Sequence, residues 1–247
     1  MTSITYRQAG RVTRDLGWGL WQVLIMFAGI VVLIFGGIGV VMAVTGSFDG
    51  SSWDSVWENS AYATRYFPLA MGIMLTAAYL PVCIASGMTR RAFGLGASAI
   101  VVGMALVMAV LEAAGYLVED LLFTIGGGTQ QFTSPHLFDA GTDVLVIIAE
   151  VSVLVAAHVA VGWSIGTAYY TSGWFWPTIM LPFMLVPIAL VEGLMSVGWA
   201  GSLTIDTWGW DRVPLDTAIP LSLAVIALTL WANQLAVRSI DIRPQRS

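Results

Sequence analysis

Residues 95–118 read LGASAIVVGMALVMAVLEAAGYLV, twenty-four residues with Glu112 as their one charge. No globular core needs so long an apolar run, whereas a bilayer core takes roughly 20 residues of helix. Working outward, comparable runs occupy residues 18–44, 67–85, 144–167, 174–197 and 218–237. Six such segments make up most of the 247 residues. With 57% hydrophobic residues, 10% charged residues and a mean hydropathy of +0.82, the chain is not an ordinary soluble domain. The expected fold is all-α and integral to the membrane: an amphipathic interfacial helix over 1–17, a six-helix transmembrane domain over 18–237, and a short cytoplasmic tail over 238–247. The first run is too long for the apolar part of a cleaved signal peptide and reads as a retained span.

The distribution of charge sets an expected orientation. Arg7, Arg11 and Arg14 precede the first run, Arg90 and Arg91 join the second to the third, and Arg238, Arg243 and Arg246 follow the sixth. The alternate connections carry Asp49, Asp54, Glu58, Glu119, Asp120, Asp139, Asp143, Asp206, Asp211 and Asp216 against only Arg65 and Arg212. The excess of arginine places both termini in the cytoplasm of a plasma-membrane protein, which requires an even number of spans. Ahead of the first span, Ala9, Val12 and Leu16 fall on one side of a helical wheel and the three arginines on the other. A disordered arginine-bearing tail is the alternative. Trp53, Trp57, Tyr62 and Tyr66 at one interface and Tyr169, Tyr170, Trp174 and Trp176 at the other read as headgroup-level anchors. The loop over 199–216, with Trp208 and Trp210, can fold back into the membrane if protein covers it.

Three glutamates fall within spans, where a charge faces protein or water. At 1.5 Å per residue, Glu112 and Glu192 lie about 26 and 27 Å up spans three and five, and Glu150 lies about 10 Å down span four. One reading is an acidic vestibule for a cationic or amphipathic cargo, with Glu150 the deepest member and His158 two turns below it as a relay partner. The other is that each carboxylate snorkels or caps a neighbouring helix end. Pro177, Pro182 and Pro187 each remove a backbone donor from span five, which should bend and act in gating. Gly29, Gly36, Gly37 and Gly39 in span one, and Gly162 with Gly166 in span four, permit close helix contacts.

Several chemistries are excluded. The chain contains no lysine, so it has no phosphate-binding loop of the Walker type. Gly162-Trp163-Ser164-Ile165-Gly166 matches a serine nucleophile elbow in letters only, because it sits within a helix and His158 is about 120° round the same helix. Gly126-Gly127-Gly128 follows no strand and reads as a loop, and Cys83 is a lone packing residue. His136 falls in a loop far in depth from His158, which makes a metal site improbable. No cofactor, metal or nucleic acid is expected on this chain.

Residues 86–96, SGMTRRAFGLG, join spans two and three. Paired arginines there serve as a topology anchor on any reading. The run Gly87-Met88-Thr89-Arg90-Arg91-Ala92-Phe93 before a Gly-Leu-Gly helix start also resembles the second intracellular segment of ABC-2-type transporter permeases, particularly small actinobacterial ones. The likeness extends to six spans, termini inside, an amphipathic helix before span one and a glutamate late in span three at Glu112. It covers about ten residues in letters and the whole chain in plan. It implies a permease subunit of an exporter for a small amphipathic, drug-like or peptide substrate. Such a subunit pairs with a second permease, identical or related, and with two copies of a cytoplasmic ATPase that hold ATP and Mg. Met88, Thr89, Arg90, Arg91 and Phe93 would form the ATPase-coupling surface, Met88 and Phe93 by apolar contact. An ion- or proton-coupled transporter using Glu150, Glu192 and His158, and a non-transporting membrane partner or immunity protein, are the alternatives.

Overall fold

The computed structural model describes residues 3–44, 52–126 and 128–240. Asp49, Gly127, Arg243 and Arg246, and the side chain of Trp53, lie outside the described residues. Helix α1 covers Ser3–Val44, α2 Ser60–Met74, α3 Leu80–Ala85, α4 Arg90–Ile125, α5 Val144–Ser172, α6 Phe175–Met184, α7 Val186–Met195, α8 Gly198–Ser202 and α9 Leu215–Arg238. Two three-residue strands, β1 at Ser52–Asp54 and β2 at Thr129–Gln131, pair in parallel with Trp53 opposite Gln130. Six helical segments are long and apolar enough to cross a bilayer: Ile4–Met42, Trp57–Ala85, Arg90–Ile125, Val144–Ser172, Phe175–Met195 and Leu215–Arg238. By that measure the chain is a multi-pass, all-α membrane protein.

Helix α5 is the hub. It is apolar round its whole circumference and packs against α2, α4, α6, α7 and α9, so it has no lipid-facing stripe to keep separate. Its crossing with α2 rests on glycine. A Cβ at Gly162 would lie 2.1 Å from the Leu69 carbonyl oxygen, and one at Gly166 2.1 Å from that of Ile73. Gly72 answers from the other side, with Val159 oxygen 2.4 Å from its would-be Cβ. The expected small-residue contact of span four is present. The corresponding glycines of span one are different: among the described residues no neighbouring atom lies within 4 Å of the Cβ position at Gly29, Gly36, Gly37 or Gly39. They make no close helix contact among the described residues.

Span two is segmented. Residues 75–79 wind as a π-turn between α2 and α3, next to Pro81 at the start of α3. There Thr76 meets the Thr167 hydroxyl at 2.7 Å and accepts the Trp163 indole N–H at 3.0 Å, so the widened turn carries its own buried polar partners. Span five breaks between α6 and α7 at Leu185, two residues before Pro187. Pro177 does not bend it, because it occupies the first turn of α6, where its missing N–H has no intrahelical acceptor.

The first helix runs without interruption from Ser3, so the segment before span one continues directly into it. Ala9 and Val12 are buried, Leu16 half-buried, and Arg7, Arg11 and Arg14 exposed. The inward face packs on α4, with Val12 and the Ala9 carbonyl filling the space a Cβ of Gly96 would take.

Candidate functional site

Two polar regions sit at opposite ends of the bundle. At the first, α3 ends in a Schellman turn: the Met88 N–H bonds the Cys83 carbonyl at 3.0 Å and the Gly87 N–H that of Ile84 at 2.9 Å. Gly87 takes φ +84°, which only glycine adopts without strain. Thr89 then caps α4 by accepting the Ala92 N–H at 3.2 Å, and its hydroxyl donates to Gln8 of α1 at 3.2 Å. Spans two and three are thus joined by four residues, Ser86 to Thr89, with nearly every turn of backbone bonded.

Around this turn lie the exposed arginines of α1, Arg90, exposed Arg91, and the end of α9 that carries Arg238, tied in by Val237 and Ile240 in the main core. The Thr89–Gln8 and Gln234–Ser98 bonds bring α1 and the end of α9 to the start of α4, so among the described residues Arg7, Arg11, Arg90, Arg91 and Arg238 gather toward one end of the bundle. Phe93 departs from expectation. It is wholly buried and meets Trp163 edge-on at 6.5 Å between ring centres, so it belongs to the core and offers nothing to a partner. Met88 is half-buried against the same core. The accessible part of the hinge is Ser86, Gly87, Thr89 and Arg91.

The opposite end is acidic and mostly sealed. Helical structure starts at Trp57, ten residues before the apolar run, so Glu58 and Arg65 stand on the bundle wall and are buried. Trp57 is buried too, and is no headgroup anchor, whereas Tyr62 and Tyr66 stay exposed. Helix α4 carries Glu119 inward beyond Glu112. Glu119 accepts the N–H groups of Val56 at 2.8 Å and Trp57 at 2.9 Å, the Ser55 hydroxyl, and the Gln130 amide at 2.6 Å. Glu58 accepts the Thr133 N–H at 2.8 Å and the Ser134 N–H at 2.6 Å. Glu150 accepts the Leu137 N–H at 2.7 Å and bonds His136 Nδ1 at 2.9 Å. Three glutamates from three helical segments therefore hold one connection, residues 128–143, over the end of the bundle.

His136 is the centre of that cap. Its Nε2 is 3.5 Å from Glu58 and its Nδ1 2.9 Å from Glu150. Its ring stacks on Phe138 at 4.5 Å and is flanked edge-on by Phe132 at 5.5 Å and Tyr116 at 6.3 Å. Burial alone would strip the proton, but the two carboxylates raise the imidazole pKa to about 9, so the ring is a cation in an aromatic cage. A loop histidine sits at the heart of the acidic end. The clue in the sequence is local: Phe132, Pro135, His136 and Phe138 crowd seven residues of a polar connection.

The four expected vestibule residues do not form one chamber. Glu112 accepts from Ser60 at 3.0 Å and Thr64 at 2.7 Å. Glu192 accepts the Ala200 N–H at 3.2 Å, closing α7 onto α8, so part of the 199–216 loop is helical. Glu150 is engaged by His136, not by His158 as a relay would require. Instead, His158 donates from Nδ1 to the Leu154 carbonyl at 2.8 Å and turns Nε2 toward Glu192, 3.9 Å away. Tyr66 lies edge-on to it at 5.6 Å. Arg65, 7% exposed, forms no ion pair or hydrogen bond among the described residues, but its charge acts on Glu112, Glu192 and His158. Among the described residues no His, Cys, Asp and Glu group has the makings of a metal site.

No family model, curated protein or solved structure matches the chain.

Proposed function

We propose that this chain is the permease subunit of an ATP-driven exporter for a small amphipathic, drug-like or peptide substrate, with both termini in the cytoplasm and ATP hydrolysed on a separate subunit. The observation that carries the reading is the doubly capped turn at 86–89 among the clustered arginines. A turn whose backbone is fixed at both sides transmits a push rather than absorbing it. From it α4 runs 36 residues, about 54 Å of helix, to the glutamates that hold the cap. The π-turn at 75–79 is the natural flexure in the other arm. The sequence likeness of the hinge to ABC-2-type permeases, and the absence of any lysine for a phosphate loop, point the same way. Two ATPases and a second permease, identical or related, would complete the assembly, and their closure would rock α3 and α4 as a unit.

The coupling surface is narrower than residues 88–93. Arg91 and Thr89 are its accessible members, and Phe93 is excluded by burial. Co-purification from the native membrane tests this. A soluble ATPase should accompany the intact chain and be lost from Arg91→Glu, whose melting temperature should not move. Undiminished association, or no ATPase at all, refutes the assignment.

A second reading, proton-driven transport, rests on the buried His158–Glu192 approach at 3.9 Å between α5 and α7. Uptake into proteoliposomes of this chain alone, driven by a pH gradient and abolished by His158→Gln, would establish it in place of the first.

A further inference from the structure

We propose that the C-terminal third of α1 and the facing wall of α4 form a lateral groove that binds a cationic single-chain amphiphile from the bilayer. Along its first two-thirds α1 packs closely, burying Val12, Leu20, Leu24 and Val31. Beyond Val31 no described side chain of α1 is buried, and the two helices part. The space between them is a cavity of about 650 Å³, walled by Val32, Phe35 and Val40 on one side and Leu111, Val118 and Leu122 on the other. Gly36 and Gly39 also line it, and among the described residues nothing lies within 4 Å of their Cβ positions, so their missing side chains keep it open.

The occupant follows from size, depth and charge. The volume falls within the roughly 300–1,000 Å³ of small-molecule sites. The walls belong to segments that cross the membrane, so the solvent at the opening is hydrocarbon, and a chain rather than water enters. One end is polar, where Val56, Trp57 and Glu119 meet the groove. The acceptor positions of Glu119 are taken up by Ser55, Val56, Trp57 and Gln130, so it offers negative field rather than a hydrogen bond. Asp54, two residues before Val56, and Asp120, next to Glu119, carry the same charge near that end of the groove, and negative charge there favours an ammonium head and repels a carboxylate or phosphate. Binding of this kind requires no ATPase, and the inference stands apart from the energy source proposed above.

The test uses the full chain in phosphatidylcholine nanodiscs with a tetradecylamine carrying a diazirine in its tail. Adducts should concentrate in peptides containing residues 32–40 and 111–122. Unlabelled tetradecylamine should compete at least about tenfold better than tetradecanoate, the factor expected from about 1.4 kcal/mol of headgroup discrimination. Gly36→Phe, which fills open space, should cut labelling about tenfold or more, and Gly39→Leu should also lower it, while Gly29→Phe, outside the groove, should leave it unchanged. Equal competition by amine and carboxylate overturns the proposed ligand. Labelling unchanged in both Gly36→Phe and Gly39→Leu overturns the site, as does a disulfide-linked dimer of Gly36→Cys that abolishes labelling, since the groove would then hold a second copy.

Discussion

The α2–α5 crossing makes a sharp prediction. In Gly162→Ala the new methyl stands 2.1 Å from the Leu69 carbonyl oxygen and 3.0 Å from its carbon, both backbone atoms that cannot rotate away. Ordinary contact begins near 3.4 Å, so the helices must separate by roughly 1.3 Å at this point. A radial gap of 0.5–1 Å forfeits about a quarter to a half of each dispersion contact it opens. The loss spreads along the crossing, because Gly166 and Gly72 sit in the same seam. Overpacking of a close-packed core costs about 1–3 kcal/mol, and the upper end applies where backbone meets backbone. About 3 kcal/mol corresponds to a drop of about 6–12 °C in Tm for a chain of this length. Thermal unfolding in a single detergent should show it, with Gly36→Ala as control. Nothing lies near Gly36, and alanine there should leave Tm unchanged or raise it, by up to about 1 kcal/mol. A Gly162→Ala protein melting within about 1 °C of the parent would refute the close crossing.

Other perturbations test the two ends. His136 keeps its proton up to about pH 9 in the folded chain against 6.5 as a free group, so its contribution is complete below about 6.5 and is lost as pH rises through 9. Melting curves should fall by about 3 kcal/mol across that window, and His136→Ala should flatten the fall. Gly87→Ala forces a left-handed φ on a residue with a Cβ and should cost about 1–2 kcal/mol, read as lower Tm and faster amide exchange at residues 86–89. Glu192→Ala strips the buried Ala200 N–H of its acceptor, about 1–3 kcal/mol, and should raise amide exchange across α8, whereas Glu192→Gln keeps an acceptor and should exchange nearly as the parent does.

The six spans were legible because hydropathy is a local property that a helix of bilayer length displays along its own sequence. The helix ends were less so. Glu58 and Arg65 look like loop residues to any rule that stops a span at a charge, yet the helix begins at Trp57 because Glu119, sixty residues on, accepts the N–H groups that start it. The same long reach brings His136 from a connection into the bundle. Of the two readings of the span glutamates, capping is what Glu192 does, and Glu150 serves the cap through His136 rather than a relay through His158. Phe93 is hidden for a reason that one dimension does not carry: an aromatic beside two arginines looks accessible until α4 turns it inward against Trp163.

A π-turn is equivalent to one residue inserted into an α-helix, and one residue is about 100° of rotation. The winding at 75–79 therefore takes up that residue locally, so the arginine turn at one end of the span and Glu58 and Arg65 at the other keep the faces a regular helix would give them. Deleting a single residue there would close the turn to α-helix and leave both ends on their faces, whereas deleting one from the regular helix on either side would swing one end about 100° past the other. Span two thus carries a place where its length can change by one residue without turning its ends, written in the width of one turn rather than in the identity of any side chain.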